Sequence, residues 1–185
     1  MNKLRFSRFI EHIHHALREA QNDEAAILAR IEPLVADLVK HDDWLEEKYT
    51  QTHPDYYQQY CLYICPENHF SVVSFVWGPG QHTPVHDHTV WGVIGMLRGA
   101  EIGTRYERLA NGQYAPVSEN RLEAGMTECV SPTIGDIHKV TNAYADRSSI
   151  SIHIYGADIG KVSRHVYIPE SGEIKKFISG YAPLP

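Results

Sequence analysis

The stretch Gly80-Gln81-His82-Thr83-Pro84-Val85-His86-Asp87-His88 sets two imidazoles at i and i+2, just behind a turn rich in Gly and Pro. Successive side chains of an extended strand alternate between faces, so His86 and His88 point the same way. Two imidazoles on one face can clasp one metal ion, and histidine is the commonest metal ligand. Further on, Gly135-Asp136-Ile137-His138 brings another turn-flanked histidine to the start of a strand, with Asn142 following. The spacing alone leaves two readings open, because alternating polar residues also mark ordinary exposed strand faces.

Around this stretch, the chain after residue 55 is a series of short β-branched and aromatic runs separated by Gly, Pro, Asn and Asp turns. That texture belongs to an all-β sandwich or barrel. Strands are predicted at 59–64, 70–77, 91–98, 102–109, 127–130, 138–142, 149–155 and 165–168, with turns at Gly78-Pro79-Gly80, Asn111-Gly112 and Ala145-Asp146. Before residue 55 the period changes. Leu4, Phe6, Phe9, Ile10, Ile13 and Leu17 recur at helical spacing, which predicts an amphipathic helix over 4–20. Asn22 or Asp23 caps a second helix that buries Ile27, Leu28, Ile31, Leu34, Val35, Leu38 and Val39, with Pro33 as a kink, and a short helix is predicted at 43–49. The plan is mainly β: one domain over 1–185, with a helical cap (1–50), a β-barrel core (56–168) and a C-terminal extension (169–185).

With 185 residues, 43% hydrophobic and 22% charged, the chain is long enough to bury a core and is unlike a disordered tail. It has 17 Lys+Arg against 23 Asp+Glu, a formal charge of -6, and no block of like charge, which argues against nucleic acid as a partner. Lys3, Arg5, Arg8, Glu11 and Arg18 interrupt the apolar residues of the N-terminal stretch, so it reads neither as a signal peptide nor as a membrane span. Cys61, Cys65 and Cys129 are three, without CxxC spacing, and fit buried or inert thiols in a reducing compartment; a cytoplasmic location is expected. Twelve histidines are the oddity. His12, His14 and His15 belong to the first helix as exposed or core-edge residues, while His41, His53, His69, His82 and His165 suggest no role beyond a place for His82 in a loop or entrance.

The run Ser149-Ile150-Ser151-Ile152-His153-Ile154-Tyr155 alternates strictly, so Ile150, Ile152 and Ile154 face the core while Ser151, His153 and Tyr155 share the other face. A half-solvated strand gives such a row, and so does a functional one. Asp87 reads as a turn or surface acid, Trp77 and Trp91 as barrel or pocket wall, and Asp136 and Glu128 as reserve oxygen ligands should His138 not serve.

Taken together, Gly80-x5-His86-x-His88-x10-Gly99 and Gly135-x2-His138-x3-Asn142 resemble the two signature motifs of the cupin superfamily. The resemblance implies a double-stranded β-helix barrel, jelly-roll-like, that holds a divalent metal. The glutamate usual in the first motif would stand at about Gly92 and is missing, leaving three neutral histidines. In this the chain resembles the thiol dioxygenases, whose best-known member is cysteine dioxygenase, and Ser151-x-His153-x-Tyr155 is similar to their triad. The similarity spans roughly 56–168.

That resemblance implies a non-haem Fe(II) cofactor on His86, His88 and His138, with Ser151 orienting His153 and His153 orienting the Tyr155 hydroxyl. It implies a small thiol carboxylate and O2 as partners, both oxygen atoms going to sulfur to give a sulfinic acid. No cysteine stands near Gly92 or Gly95, so the cysteine–tyrosine cross-link of the mammalian type is not expected. Tyr57-Gln58-Gln59-Tyr60-Cys61-Leu62 carries glutamines where that type has an arginine, which resembles the bacterial Gln-type branch, many of whose members prefer 3-mercaptopropionate. The resemblance then makes Arg164 the carboxylate anchor and Gln59 a second substrate contact, with L-cysteine as the competing substrate. Two other classes fit the motifs. One is a different metal-dependent cupin that acts on a carbon compound or isomerises a sugar, and the other is a cupin that binds a small molecule without turnover.

Overall fold

The computed structural model describes residues 2–184. Helix α1 (Lys3–Ala20) starts at Asn2, whose side chain accepts the Arg5 N–H, and it buries Phe9, Ile13, Ala16 and Ala20. Helix α2 (Glu24–Val39) is capped by Asp23, which accepts the Ala26 N–H, and it runs through Pro33 without ending. The helix predicted at 43–49 is reduced to a single 3-10 turn, η1 (Glu47–Tyr49). Tertiary anchors outweigh helix formation there: Asp43 pairs with Arg5 at 2.8 Å, and buried Trp44 stacks on Phe6 while its indole N–H reaches the Leu38 carbonyl.

Eleven strands follow among the described residues: β1 (Gln58–Ile64), β2 (Ser71–Trp77), β3 (Val85–His86), β4 (Gly92–Arg98), β5 (Ala100–Arg108), β6 (Tyr114–Glu123), β7 (Thr127–Val130), β8 (His138–Asn142), β9 (Ser149–Tyr155), β10 (Arg164–Ile168) and β11 (Glu173–Phe177). They form two antiparallel sheets, β1-β2-β9-β4-β7 and β11-β10-β3-β8-β5-β6, the double-stranded β-helix barrel that the motifs imply. Strands β6 and β11 escape the sequence pattern. Each lies at an edge of its sheet and is largely exposed, so neither shows the apolar alternation of a half-buried strand.

The helices cover the outer face of the five-stranded sheet. Val72, Val76, Val93, Leu97, Ile150, Ile152 and Ile154 pack there with Ile13, Ile31 and Val35 in one apolar cluster. Gly95 is where α2 comes closest, since a Cβ at that position would lie 2.6 Å from Val35. The alternation of β9 therefore separates two buried faces, not a buried and a solvated one: every residue of β9 is buried. Its isoleucines meet the helices, and Ser151, His153 and Tyr155 point into the barrel. Each buried apolar side chain on the helix side contributes about 1.5–3 kcal/mol. The polar row on the inner side must be held by hydrogen bonds, and those bonds make the site.

Candidate active site

Strand β3 is two residues long, but it is paired on both sides, with His86 opposite His138 on β8 and opposite Val166 on β10. Directly opposed residues share a face, so the β3–β8 register is what brings His86 to His138, and the period of two adds His88. The three ring centroids are 4.9 Å apart in every pairing. One ligating atom from each lies within 4.8 Å of the others, and all three residues are buried.

Two of the rings have an assigned partner. His86 Nδ1–H donates to the Pro84 carbonyl at 3.0 Å, and His88 Nδ1–H donates to Asp136 Oδ1 at 2.7 Å. A carbonyl and a carboxylate can only accept, so both imidazoles keep Nε2 as the unprotonated nitrogen, free to ligate. Burial holds the rings neutral: His86 is pulled down to about 4, and His88 and His138 well below the usual imidazole range. Neutral imidazole is the form that ligates a metal. The three nitrogens fit a divalent first-row transition ion, with no carboxylate in the set to offset its charge.

Asp136 lies outside the histidine group; it is the buried acceptor behind His88 and also takes the backbone N–H groups of His88 and Thr89 at 2.9 and 2.8 Å. That contact spans 48 residues, so no local spacing signals it. Glu128 is half-buried and stands outside the histidine cluster. Asp87 corrects the reading of a turn or surface acid. It is 6% exposed and accepts from Tyr167 Oη at 2.7 Å and His165 Nδ1–H at 2.8 Å, which ties the ligand-bearing segment to β10. Its place between two inward-facing histidines points it at the neighbouring strand instead of at solvent, and His165 thereby acquires a partner. His82 is exposed, and Thr83 and Pro84 line the pocket in its stead. Trp77 is fully buried in the barrel, whereas Trp91 packs on the helical side, against Gly156.

The polar row of β9 is a continuous chain. Ser151 Oγ lies 2.8 Å from His153 Nε2, and His153 Nδ1 lies 2.7 Å from Tyr155 Oη. The Trp77 indole N–H donates to Ser151 Oγ at 3.0 Å. The Tyr155 ring stacks on His88 at 5.1 Å, so the chain ends beside the histidine cluster. Burial raises the Tyr155 phenol and keeps it protonated, and burial lowers His153 so that it stays neutral. Gly92 pairs with Tyr155 across β4 and β9, and a Cβ there would lie 2.9 Å from the tyrosine ring, so that ring occupies the space a side chain at 92 would need.

A cavity of about 430 Å³ opens against His86 and is lined by Tyr57, Gln59, Phe75 and Arg164. Arg164 is 3% exposed, on the same face of β10 as Val166, His86's partner. Its Nη2–H donates to Ser179 Oγ at 2.7 Å, and Gln59 Nε2–H reaches the same oxygen at 3.1 Å. The structure thus brings Gln59 and Arg164 together through a residue of the C-terminal extension that nothing in the sequence pattern flagged. Arg164 Nε has no hydrogen-bond partner among the described residues, and the guanidinium lies 4.7 Å over the Phe177 ring.

A double-stranded β-helix with three buried histidines converging inside it defines a metal-binding cupin. Residues 34–167 match the model of the family Cysteine dioxygenase type I, and the chain belongs to that family. Membership supports an oxidoreductase of the dioxygenase class, and His86, His88 and His138 could hold its metal. Among solved structures, an uncharacterized conserved protein with a double-stranded beta-helix domain from Klebsiella pneumoniae is similar at 14% identity, over 74% of this chain and 97% of that one, with a TM-score of 0.49. The TT1209 protein of Thermus thermophilus is similar at 17% identity, over 60% of this chain and 92% of its own, with a TM-score of 0.48. A cupin superfamily protein of Desulfitobacterium hafniense gives 11% identity, 64% and 94% coverage and a TM-score of 0.47. Among the described residues no helix is long and apolar enough to cross a membrane.

Proposed function

We propose that the protein is a non-haem Fe(II) thiol dioxygenase acting on a small mercapto acid, with 3-mercaptopropionate preferred and L-cysteine as the competitor. The products are 3-sulfinopropionate and cysteine sulfinate: a thiol RSH and one O2 give RSO2H, with both oxygen atoms retained on sulfur. The observation that carries the reading is the pocket beside His86. It holds one buried arginine with an unpaired Nε–H and no carboxylate among its lining residues. Such a wall accepts a carboxylate through charge-assisted hydrogen bonds and offers no counter-charge for the α-ammonium of cysteine.

His86, His88 and His138 are the ligands in this reading, and Fe(II) when bound supplies thiolate binding and dioxygen activation. Arg164 fixes the carboxylate, and the distance from its guanidinium to the histidine cluster selects the chain length between carboxylate and sulfur. Gln59 and Ser179 hold the guanidinium in place. Tyr155 donates a hydrogen bond beside the histidine cluster, oriented by His153 and Ser151. Tyr57 and Phe75 supply apolar wall that excludes water. Residues 1–185 act as one cupin unit, with the cap over 1–50, the barrel core over 56–168 and the extension over 169–185 adding strand β11 and Ser179, and the three free thiols suit the cytoplasm.

Oxygen-electrode assays of Fe(II)-reconstituted protein with 3-mercaptopropionate, L-cysteine, mercaptosuccinate and cysteamine test this, with the sulfinate identified by mass spectrometry. The highest kcat/KM is expected for 3-mercaptopropionate, and cysteamine, lacking the carboxylate, should be poor. Absence of thiol-dependent uptake with all four would overturn the proposal.

A further inference from the structure

One buried ionisable group has no part in the chemistry above. Glu101, on β5, is 2% exposed, and its Oε2 has no hydrogen-bond partner among the described residues. Its carboxyl sits against the Ser151 hydroxyl and the Trp77 indole, at the inner end of the chain that runs through His153 to Tyr155. Burial, helped by Glu128, pushes it up to about 7 against the opposing pull of Ser151 and Trp77.

Proton counting along the chain shows what this position can do. Ser151 Oγ has one proton and two lone pairs, and the Trp77 N–H takes one of the lone pairs. His153 is neutral, so only one of its nitrogens carries hydrogen. The chain therefore has two directions. With Glu101 neutral, its O–H donates to Ser151 Oγ, Ser151 donates to His153 Nε2, and His153 Nδ1–H donates to Tyr155 Oη. The Tyr155 hydroxyl proton is then released from His153, beside the histidine cluster and within the field of Arg164. With Glu101 ionised, Ser151 donates to the carboxylate, His153 Nε2–H donates to Ser151, and Tyr155 spends its proton on His153 Nδ1. The net change is one proton lost from Glu101 to solvent, and the other three groups keep their charge.

We propose that Glu101 is a positioning residue that sets the direction of this hydrogen-bond chain, its neutral form turning the Tyr155 hydroxyl toward the substrate. The catalytic consequence rests on the dioxygenase reading; the directional effect does not. The charged and titratable groups facing Glu101 are few. Glu128 approaches from β7 and Tyr155 from β9, with neutral His153 joined to it through Ser151. Leu122 on β6 and Asn142 on β8 stand opposite it, with His138 further along β8, while Trp77 on β2 and Met96 on β4 add no charge.

The test is the tautomer of His153, read by 15N NMR of the full-length zinc-loaded protein from mildly acidic to mildly alkaline pH. Wild type should pass from Nδ1–H to Nε2–H as Glu101 ionises, and Glu101→Gln should hold one tautomer throughout. Ser151→Ala, which leaves Glu101 intact but cuts its link to His153, should also abolish the transition. In the iron-loaded enzyme kcat should fall on the alkaline side by about tenfold per pH unit, the slope of a single protonation, and this limb should be missing in Glu101→Gln. A wild-type tautomer that does not change with pH, or the same change in either variant, overturns the proposal even if thiol-dependent oxygen uptake is present. A tautomer transition in a protein that consumes no oxygen with any thiol upholds the role of Glu101 and removes the dioxygenase reading instead.

Discussion

The two faces of strand β9 are equally buried and chemically opposite. On one, Ile150, Ile152 and Ile154 fill the space under α1 and α2; on the other, Ser151, His153 and Tyr155 form a hydrogen-bonded row that ends at the His86–His88–His138 cluster. The apolar face needs only the right shape and volume. The polar face needs a partner for each hydrogen-bonding group, so each of its residues is fixed by its neighbour and an error passes along the row. Stability and chemistry can therefore be lost separately here, although the same strand carries both.

Cutting the inner face at its metal end gives the largest effect. His138→Ala should leave a folded barrel whose metal content, read by plasma mass spectrometry after reconstitution, falls to background, and activity should go with it. On the outer face, Ile152→Ala should cost about 2–5 kcal/mol in urea melts, while the folded protein keeps its KM. A drop in metal content in that variant would show that the two faces are not separable. Titration separates the faces in another way. The folded pKa of Glu101, raised to about 7, exceeds that of an unfolded glutamate, so the folded state holds the extra proton between the two. Stability from this group is therefore fully present below the unfolded value, falls as pH rises toward about 7, and is level above it. Glu101→Gln should escape a loss of about 3 kcal/mol above that pH, seen as a gap between the two melting curves that opens with pH. Asp136→Asn removes the charge behind His88 and should weaken metal affinity by about 10–100-fold, measurable by competition with a chelator. The smallest effect expected is that of Arg164→Lys, an increase in KM of about tenfold as one charge-assisted hydrogen bond is lost, with kcat little changed; an unchanged KM for 3-mercaptopropionate would remove Arg164 as the carboxylate anchor.

What could be read in the sequence follows from the same division. The His-x-His and Ser-x-His-x-Tyr spacings were legible because the strand period of two puts their members on one face, and the β3–β8 register then delivers His138. Residues whose role depends on contacts distant in sequence were not legible. Ser179 joins Gln59 to Arg164 across 120 and 15 residues. Asp87 looked like a turn acid because nothing local reveals Tyr167 and His165 beside it. Edge strands β6 and β11 lacked any apolar period, and the helix expected at 43–49 gave way to the anchors on Asp43 and Trp44.

The unpaired Nε–H of Arg164 has a practical side. A buried cation short of a partner destabilises the barrel that contains it, and any small anion that fits relieves the deficit. Propionate and its homologues, which have no sulfur to oxidise, should therefore raise the melting temperature in air or under argon alike. A panel of such acids graded by length would measure the pocket like a ruler, without a single turnover.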